Sequence, residues 1–152
     1  MKMLGFILAT LVSISGNVFA EGDDITWNNN LKSQYFNGKA IEESNDTIEL
    51  EVPYRAEDPA IVPIKVTSKF AQSKDHYIKK IWLFVDKNPF PFVGEFEFFP
   101  ESGKADLAMR VRVNTYSNIR AVAETNDGKF SMSKKFVKAS GGCSAPIGAN
   151  LD

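Results

Sequence analysis

From residue 45 to residue 137 the apolar side chains of this chain recur at a period of two, and that alternation confines it to sheet structure. Ile48, Leu50 and Val52 alternate with Glu49 and Glu51, and Val62, Ile64 and Val66 with Pro63, Lys65 and Thr67. A proline in the second run predicts an edge position or a bulge there. Residues 78–85 are nearly all apolar and include Trp82, the pattern of a central strand covered on both faces. Asp86-Lys87-Asn88-Pro89 ends that run with turn chemistry. Residues 92–99 alternate phenylalanine with Glu95 and Glu97. Ala105, Leu107, Met109, Val111 and Val113 alternate with Asp106, Ala108, Arg110 and Arg112. The last two runs, 119–125 and 129–137, flank Asn126-Asp127-Gly128, and Asp-Gly between such runs signals a hairpin. Seven short strands at near-regular spacing describe a mainly β protein, an immunoglobulin-like seven-strand β-sandwich.

The segment before the strands has another period. Trp27, Leu31, Tyr35 and Phe36 are spaced for one amphipathic N-terminal helix, entered through Asp23, Asp24 or Thr26 as N-cap and ended near Gly38. Ahead of it stand Met1-Lys2-Met3, an apolar run over 4–15, and Val18-Phe19-Ala20 with the small residues that signal peptidase needs. The run is too short for a bilayer core of about 30 Å. A signal peptide over residues 1–20, cleaved after Ala20, and a periplasmic location are the expectation. The expected organisation is one sandwich domain over residues 21–139 and a flexible C-terminal arm over 140–152. Lys2 is the only charged residue among the first twenty, so 18 basic residues become 17 against 19 acidic in the exported chain. That balance gives no electrostatic reason for nucleic acid or an anionic membrane as partner.

An enzyme is hard to build from this inventory. His76 is the single histidine, in the polar turn Lys74-Asp75-His76-Tyr77, and reads as a solvated loop residue. One histidine and one cysteine make no protein zinc site without carboxylates, so neither a metal nor a cofactor is expected. Glu95 and Glu97 share one strand face, as do Arg110 and Arg112. If 101–104 is a simple connection, the pairs neutralise each other across the ladder. Tyr54-Arg55-Ala56-Glu57-Asp58-Pro59 is a polar loop between strands; a charged turn and a partner-contact loop through Tyr54, Arg55, Glu57 and Asp58 are both open. Asn45-Asp46-Thr47 matches a glycosylation acceptor by chance composition.

Cys143 differs in kind. It is the only cysteine, set in Ser140-Gly141-Gly142-Cys143-Ser144-Ala145-Pro146, and an exported protein ordinarily pairs its cysteines. Gly141 and Gly142 allow almost any backbone angle and form a swivel. From Lys138 the chain can carry the thiol roughly 16–18 Å. A thiol of pKa about 8.5 is a few per cent thiolate at neutral pH, enough for covalent loading. No second cysteine exists to resolve a mixed disulfide, which disfavours a thiol–disulfide enzyme. An intermolecular disulfide between two copies remains open.

These features together resemble the SoxY family, the carrier subunit of the periplasmic thiosulfate-oxidation system. The resemblance is carried by Val52-Pro53-Tyr54-Arg55-Ala56-Glu57-Asp58, by residues 81–91, by Arg120-Ala121-Val122-Ala123-Glu124, and most specifically by residues 134–146 with their Gly-Gly-Cys. It looks most similar to the SoxY half of SoxYZ-like carriers associated with quinoprotein dehydrogenases. The resemblance implies a non-enzymatic carrier in which Cys143 holds a sulfur adduct covalently, Gly141 and Gly142 are the arm hinge, and separate enzymes act on the cargo. It implies a SoxZ-like subunit as heterodimer partner. Nine residues follow Cys143, and Ser144-Ala145-Pro146 stands where the family has further glycine. The competing reading is a non-catalytic accessory module of a periplasmic quinoprotein dehydrogenase that uses the sandwich surface.

Overall fold

The computed structural model describes residues 22–139. The expected signal peptide and the expected arm, with Gly141, Gly142 and Cys143, lie outside them.

Helix opens the described chain: α1 (Gly22–Thr26), a π-helical turn (Trp27–Leu31) and α2 (Lys32–Phe36) run on without a break. Helix therefore begins earlier than the spacing suggested. Asp24 and Thr26 are inside it rather than at its cap, and Asp24 is released for a different bond. The π turn buries Trp27 and Leu31, and Phe36 follows on the same side. Asn37 stops the helix in the left-handed region (φ 49°), and Gly38 continues there (φ 73°).

Eight strands follow: β1 (Glu42–Glu43), β2 (Ile48–Glu51), β3 (Val62–Ser68), β4 (Ile78–Val85), β5 (Phe92–Glu97), β6 (Leu107–Val111), β7 (Ser117–Thr125) and β8 (Phe130–Val137). They form a five-stranded sheet in the order β1-β8-β7-β4-β5 and a three-stranded sheet in the order β2-β3-β6. The fold is the expected immunoglobulin-like sandwich. Its extra strand, β1, is two exposed glutamates running parallel to β8, with no apolar alternation to betray it.

Two cores share the five-stranded sheet. Ile81, Leu83 and Val85 of β4 face Leu50, Ile64 and Val66 of the other sheet. Trp82 and Phe84, of opposite parity, face Trp27, Leu31 and Phe36 of the helix. β4 is thus covered on both sides, and its continuous apolar run is the direct consequence. Each large side chain so buried contributes roughly 1.5–3 kcal/mol, so the helix layer is firmly attached.

One sequence expectation is refined and one is corrected. β3 lies between β2 and β6, so Pro63 is not on an edge strand; but β2 ends at Glu51 opposite Lys65, leaving a strand on only one side of Pro63, opposite Arg110. A residue without an N–H is tolerated at such a place. The Glu95/Glu97 and Arg110/Arg112 pairs do not meet, because the connection between β5 and β6 crosses from one sheet to the other through a short 3-10 turn (Pro100–Ser102). Glu95 and Glu97 instead hold Lys80 of the neighbouring strand at 2.5 and 2.9 Å. Arg112 bonds through Nε to Asn114 Oδ1 at 3.0 Å.

Candidate functional site

The expected arm lies outside the described residues; what the structure describes is the segment just before it, at the end of β8. After Val137 the chain does not simply run out of the sheet. The Lys138 N–H donates to the Tyr54 carbonyl at 2.8 Å and the Ala56 N–H donates to the Lys138 carbonyl at 3.1 Å, a parallel bridge centred on Arg55. The Lys138 ammonium lies 4.9 Å from the centre of the Tyr54 ring, a cation–π contact. Ala139 is buried. Two backbone bonds and a ring thus hold Lys138, next to the last described residue.

This gives the loop after β2 a definite role. Of its expected partner-contact residues, only Tyr54 bonds Lys138 through its own backbone, the second bond coming from Ala56; Arg55 sits between them at the centre of the bridge, and the side chains of Tyr54 and Arg55 stay exposed. Asp58 Oδ1 accepts the Ala60 N–H at 2.8 Å and shapes the loop's own turn. Glu57 is exposed. The sequence suggested a charged turn or a contact loop; the backbone clamp is a third role, invisible to side-chain reading.

Behind the arm end sits a charged group that the sequence reading missed. Arg120 of β7 and Asp86, at the end of β4, have side chains 1% and 0% exposed. Arg120 Nε lies 3.0 and 2.8 Å from the two Asp86 carboxylate oxygens, and its Nη2 lies 2.7 Å from Oδ2 and 2.6 Å from Asp24 Oδ1. Its guanidinium stacks 4.9 Å from the Trp27 ring. Burial by itself would depress the guanidinium, but the hydrogen bonds and charges of Asp86 and Asp24 outweigh it and hold it above its usual value. The Arg120 bond in turn holds the Asp24 carboxyl below its usual range, against partial burial, with Lys134 adding to the effect. One side chain so joins helix, sheet and the turn after β4. A signal did exist: an arginine inside the apolar run 119–123 has to be paired if that run is buried.

The remaining candidates each have a structural contact. His76 stacks on Phe70 at 4.2 Å, as a loop residue does on a nearby ring. The Trp82 indole N–H donates to Glu95 at 2.6 Å, and the Lys80 bond holds the Glu95 carboxyl below its usual value. Asn45 Oδ1 accepts from the Ser133 hydroxyl at 2.6 Å. Among the described residues no group of three or more His, Cys, Asp or Glu is arranged to hold a metal. None of their helices is long and apolar enough to cross a membrane.

Comparison with known proteins bears on this geometry. The family model for sulfur oxidation protein SoxY matches residues 32–143. Among solved structures, the sulfur carrier protein SoxY from Chlorobium limicola f thiosulfatophilum is 26% identical, with a TM-score of 0.59 over 76% of this chain and 89% of that one. Superoxide reductase (neelaredoxin) from Ignicoccus hospitalis is 17% identical at a TM-score of 0.53, covering 61% of this chain and 80% of that one. A putative superoxide reductase from Thermotoga maritima is 20% identical at 0.52, over 64% and 89%. These last two likenesses concern the sandwich alone. No curated protein matches the chain.

Proposed function

The chain belongs to the SoxY family of sulfur oxidation proteins, and from that premise we propose that it is an exported sulfur carrier whose Cys143 holds sulfur intermediates covalently on a C-terminal arm. The observation that carries the reading is the reach of the family match, which runs through to Cys143. Two further observations support it. The solved SoxY carrier covers most of this chain's described fold. The sandwich also holds Lys138 by two backbone bonds, and the residues that follow in sequence include Gly141 and Gly142, which in this reading are the arm hinge.

In this reading the chain supplies one sulfur atom and a tether. Joining Cys143 Sγ to a reduced sulfur anion makes an S–S bond and releases the thiol proton and two electrons, which leave with an oxidising partner enzyme. The carrier itself performs no redox or hydrolytic step; its partners are a SoxZ-like subunit and the enzymes that load, oxidise and release the cargo. Location in the periplasm follows from the signal expected over residues 1–20. The narrower assignment, to carriers that accompany quinoprotein dehydrogenases, is tested by whether such an enzyme co-purifies with the native protein. The carrier reading is tested by Cys143→Ser: the variant should melt at the wild-type temperature and accept no sulfur. Loading that persists without the thiol would end it.

A further inference from the structure

The end of the sandwich from which the arm departs is built from four segments knitted by hydrogen bonds. The loop after β2 grips Lys138, as described, and its Pro59 carbonyl accepts the Val113 N–H at 2.8 Å. Asn88, in the turn after β4, reaches the loop between β6 and β7. Its Nδ2 donates to the Arg112 carbonyl at 2.7 Å and its Oδ1 accepts the Asn114 N–H at 3.0 Å. The Lys87 N–H donates to Ser117 Oγ at 3.0 Å. These bonds make one surface of the four segments.

That surface is apolar where it should not be. Of the seven large apolar side chains exposed among the described residues, four stand here: Tyr54, Ile61, Phe90 and Tyr116. Phe90, in the turn after β4, is 85% exposed and contributes nothing to either core. Such clustering marks a surface that another protein covers. Around it are the cations Arg55, Arg112 and Lys138, against two carboxylates, Glu57 and Asp58. The exported chain as a whole has two more acidic than basic residues, so this end has the opposite sign to the rest.

The tether decides what covers it. Cys143 is four residues beyond the anchored Ala139, a reach of at most about 14 Å. An enzyme that takes the thiol several ångströms below its own surface must come within that distance of Lys138. It cannot do so without touching Tyr54, Phe90 or their neighbours, and a permanently bound subunit on this end would block it. We propose that this end is the docking face for the enzyme that receives the arm, and that this enzyme offers an apolar cleft for Phe90 and Tyr116 rimmed by carboxylates. The proposal rests on the carrier reading and adds the partner's chemistry to it. The cations steer the encounter, and the aromatic anchors hold it.

The test uses the full chain with p-benzoylphenylalanine in place of Phe90, irradiated in cells oxidising thiosulfate, and mass-spectrometric identification of the product. The expected product is an enzyme that, once purified, acts on sulfur-loaded carrier. Its KM for loaded Phe90→Ala/Tyr116→Ala carrier should rise about tenfold or more, the loss of one or two anchor residues. Its kcat, and the rate at which iodoacetamide alkylates Cys143, should stay within about twofold, since neither anchor bears on the thiol's own chemistry. Cross-links confined to a SoxZ-like subunit or to a second copy, no cross-link at all, or an unchanged KM would overturn the docking face. Native protein that bears no sulfur on Cys143 would instead overturn the carrier reading, whatever Phe90 cross-links to.

Discussion

Replacing Arg120 by methionine tests whether the buried charge cluster fastens this domain together. The substitution keeps the side chain's apolar length and its seat beside Trp27, but leaves the Asp86 carboxylate, 0% exposed, without its guanidinium partner. Removing one member of a fully buried pair costs about 3–5 kcal/mol, because the other charge stays desolvated. Losing the bond to Asp24, whose side chain is 45% exposed, adds well under about 1 kcal/mol. In a domain of this size that total lowers the melting temperature by roughly 10–25 °C. Urea denaturation followed by tryptophan fluorescence gives the free energy. A double variant, Asp86→Leu with Arg120→Met, buries no charge and should recover most of the loss. A single variant that costs less than about 1 kcal/mol, or a double variant as unstable as the sum of the two singles, would refute the assignment of Arg120 as a buried fastener.

Three further outcomes follow from particular contacts. Asp24 titrates below its usual value in the folded state, so its contribution is complete above the unfolded pKa of about 3.9 and is lost as pH falls through the folded one. Asp24→Asn should therefore be mildly destabilising at neutral pH and indistinguishable from wild type in strong acid, as read from melting curves across that range. Glu95→Ala leaves the indole N–H of buried Trp82 without its acceptor and should cost about 1–2 kcal/mol in urea denaturation. Glu95→Gln keeps an acceptor in place and should cost less than Glu95→Ala. Tyr54→Ala removes the ring beneath the Lys138 ammonium but spares both backbone bonds of the arm root. Hydrogen exchange at Lys138 should quicken by no more than a few-fold, whereas full loss of protection would show that the ring and not the backbone holds the root.

Much of the architecture could be read from residues 45–137 because period-two alternation is a direct imprint of one buried and one exposed face. β4 announced its central place through an unbroken apolar run, and the β7–β8 hairpin through Asp127-Gly128. What escaped the sequence was pairing between distant segments. Alternation says which face of β5 and β6 is wet but not which sheet each joins, so the Glu95/Glu97 and Arg110/Arg112 ladder was expected across a connection that in fact changes sheets. β1 was illegible because a parallel pair of exposed glutamates has no pattern. Around the arm the limits were similar. The expected hinge and thiol lie outside the described residues, and the clamp on Lys138 just before them is made by backbone groups of residues 54 and 56, which no side-chain pattern encodes. Asp86 looked like an ordinary turn residue because its partner Arg120 is 34 positions away.

Intact-mass spectrometry of the protein purified from its native cells, before and after reduction, tests the carrier claim most directly. The account predicts a chain beginning at Glu21 that bears a reducible increment of one or more sulfur atoms, or of thiosulfate, mapped to Cys143. A bare thiol or a simple disulfide dimer, in cells grown on reduced sulfur, would contradict it.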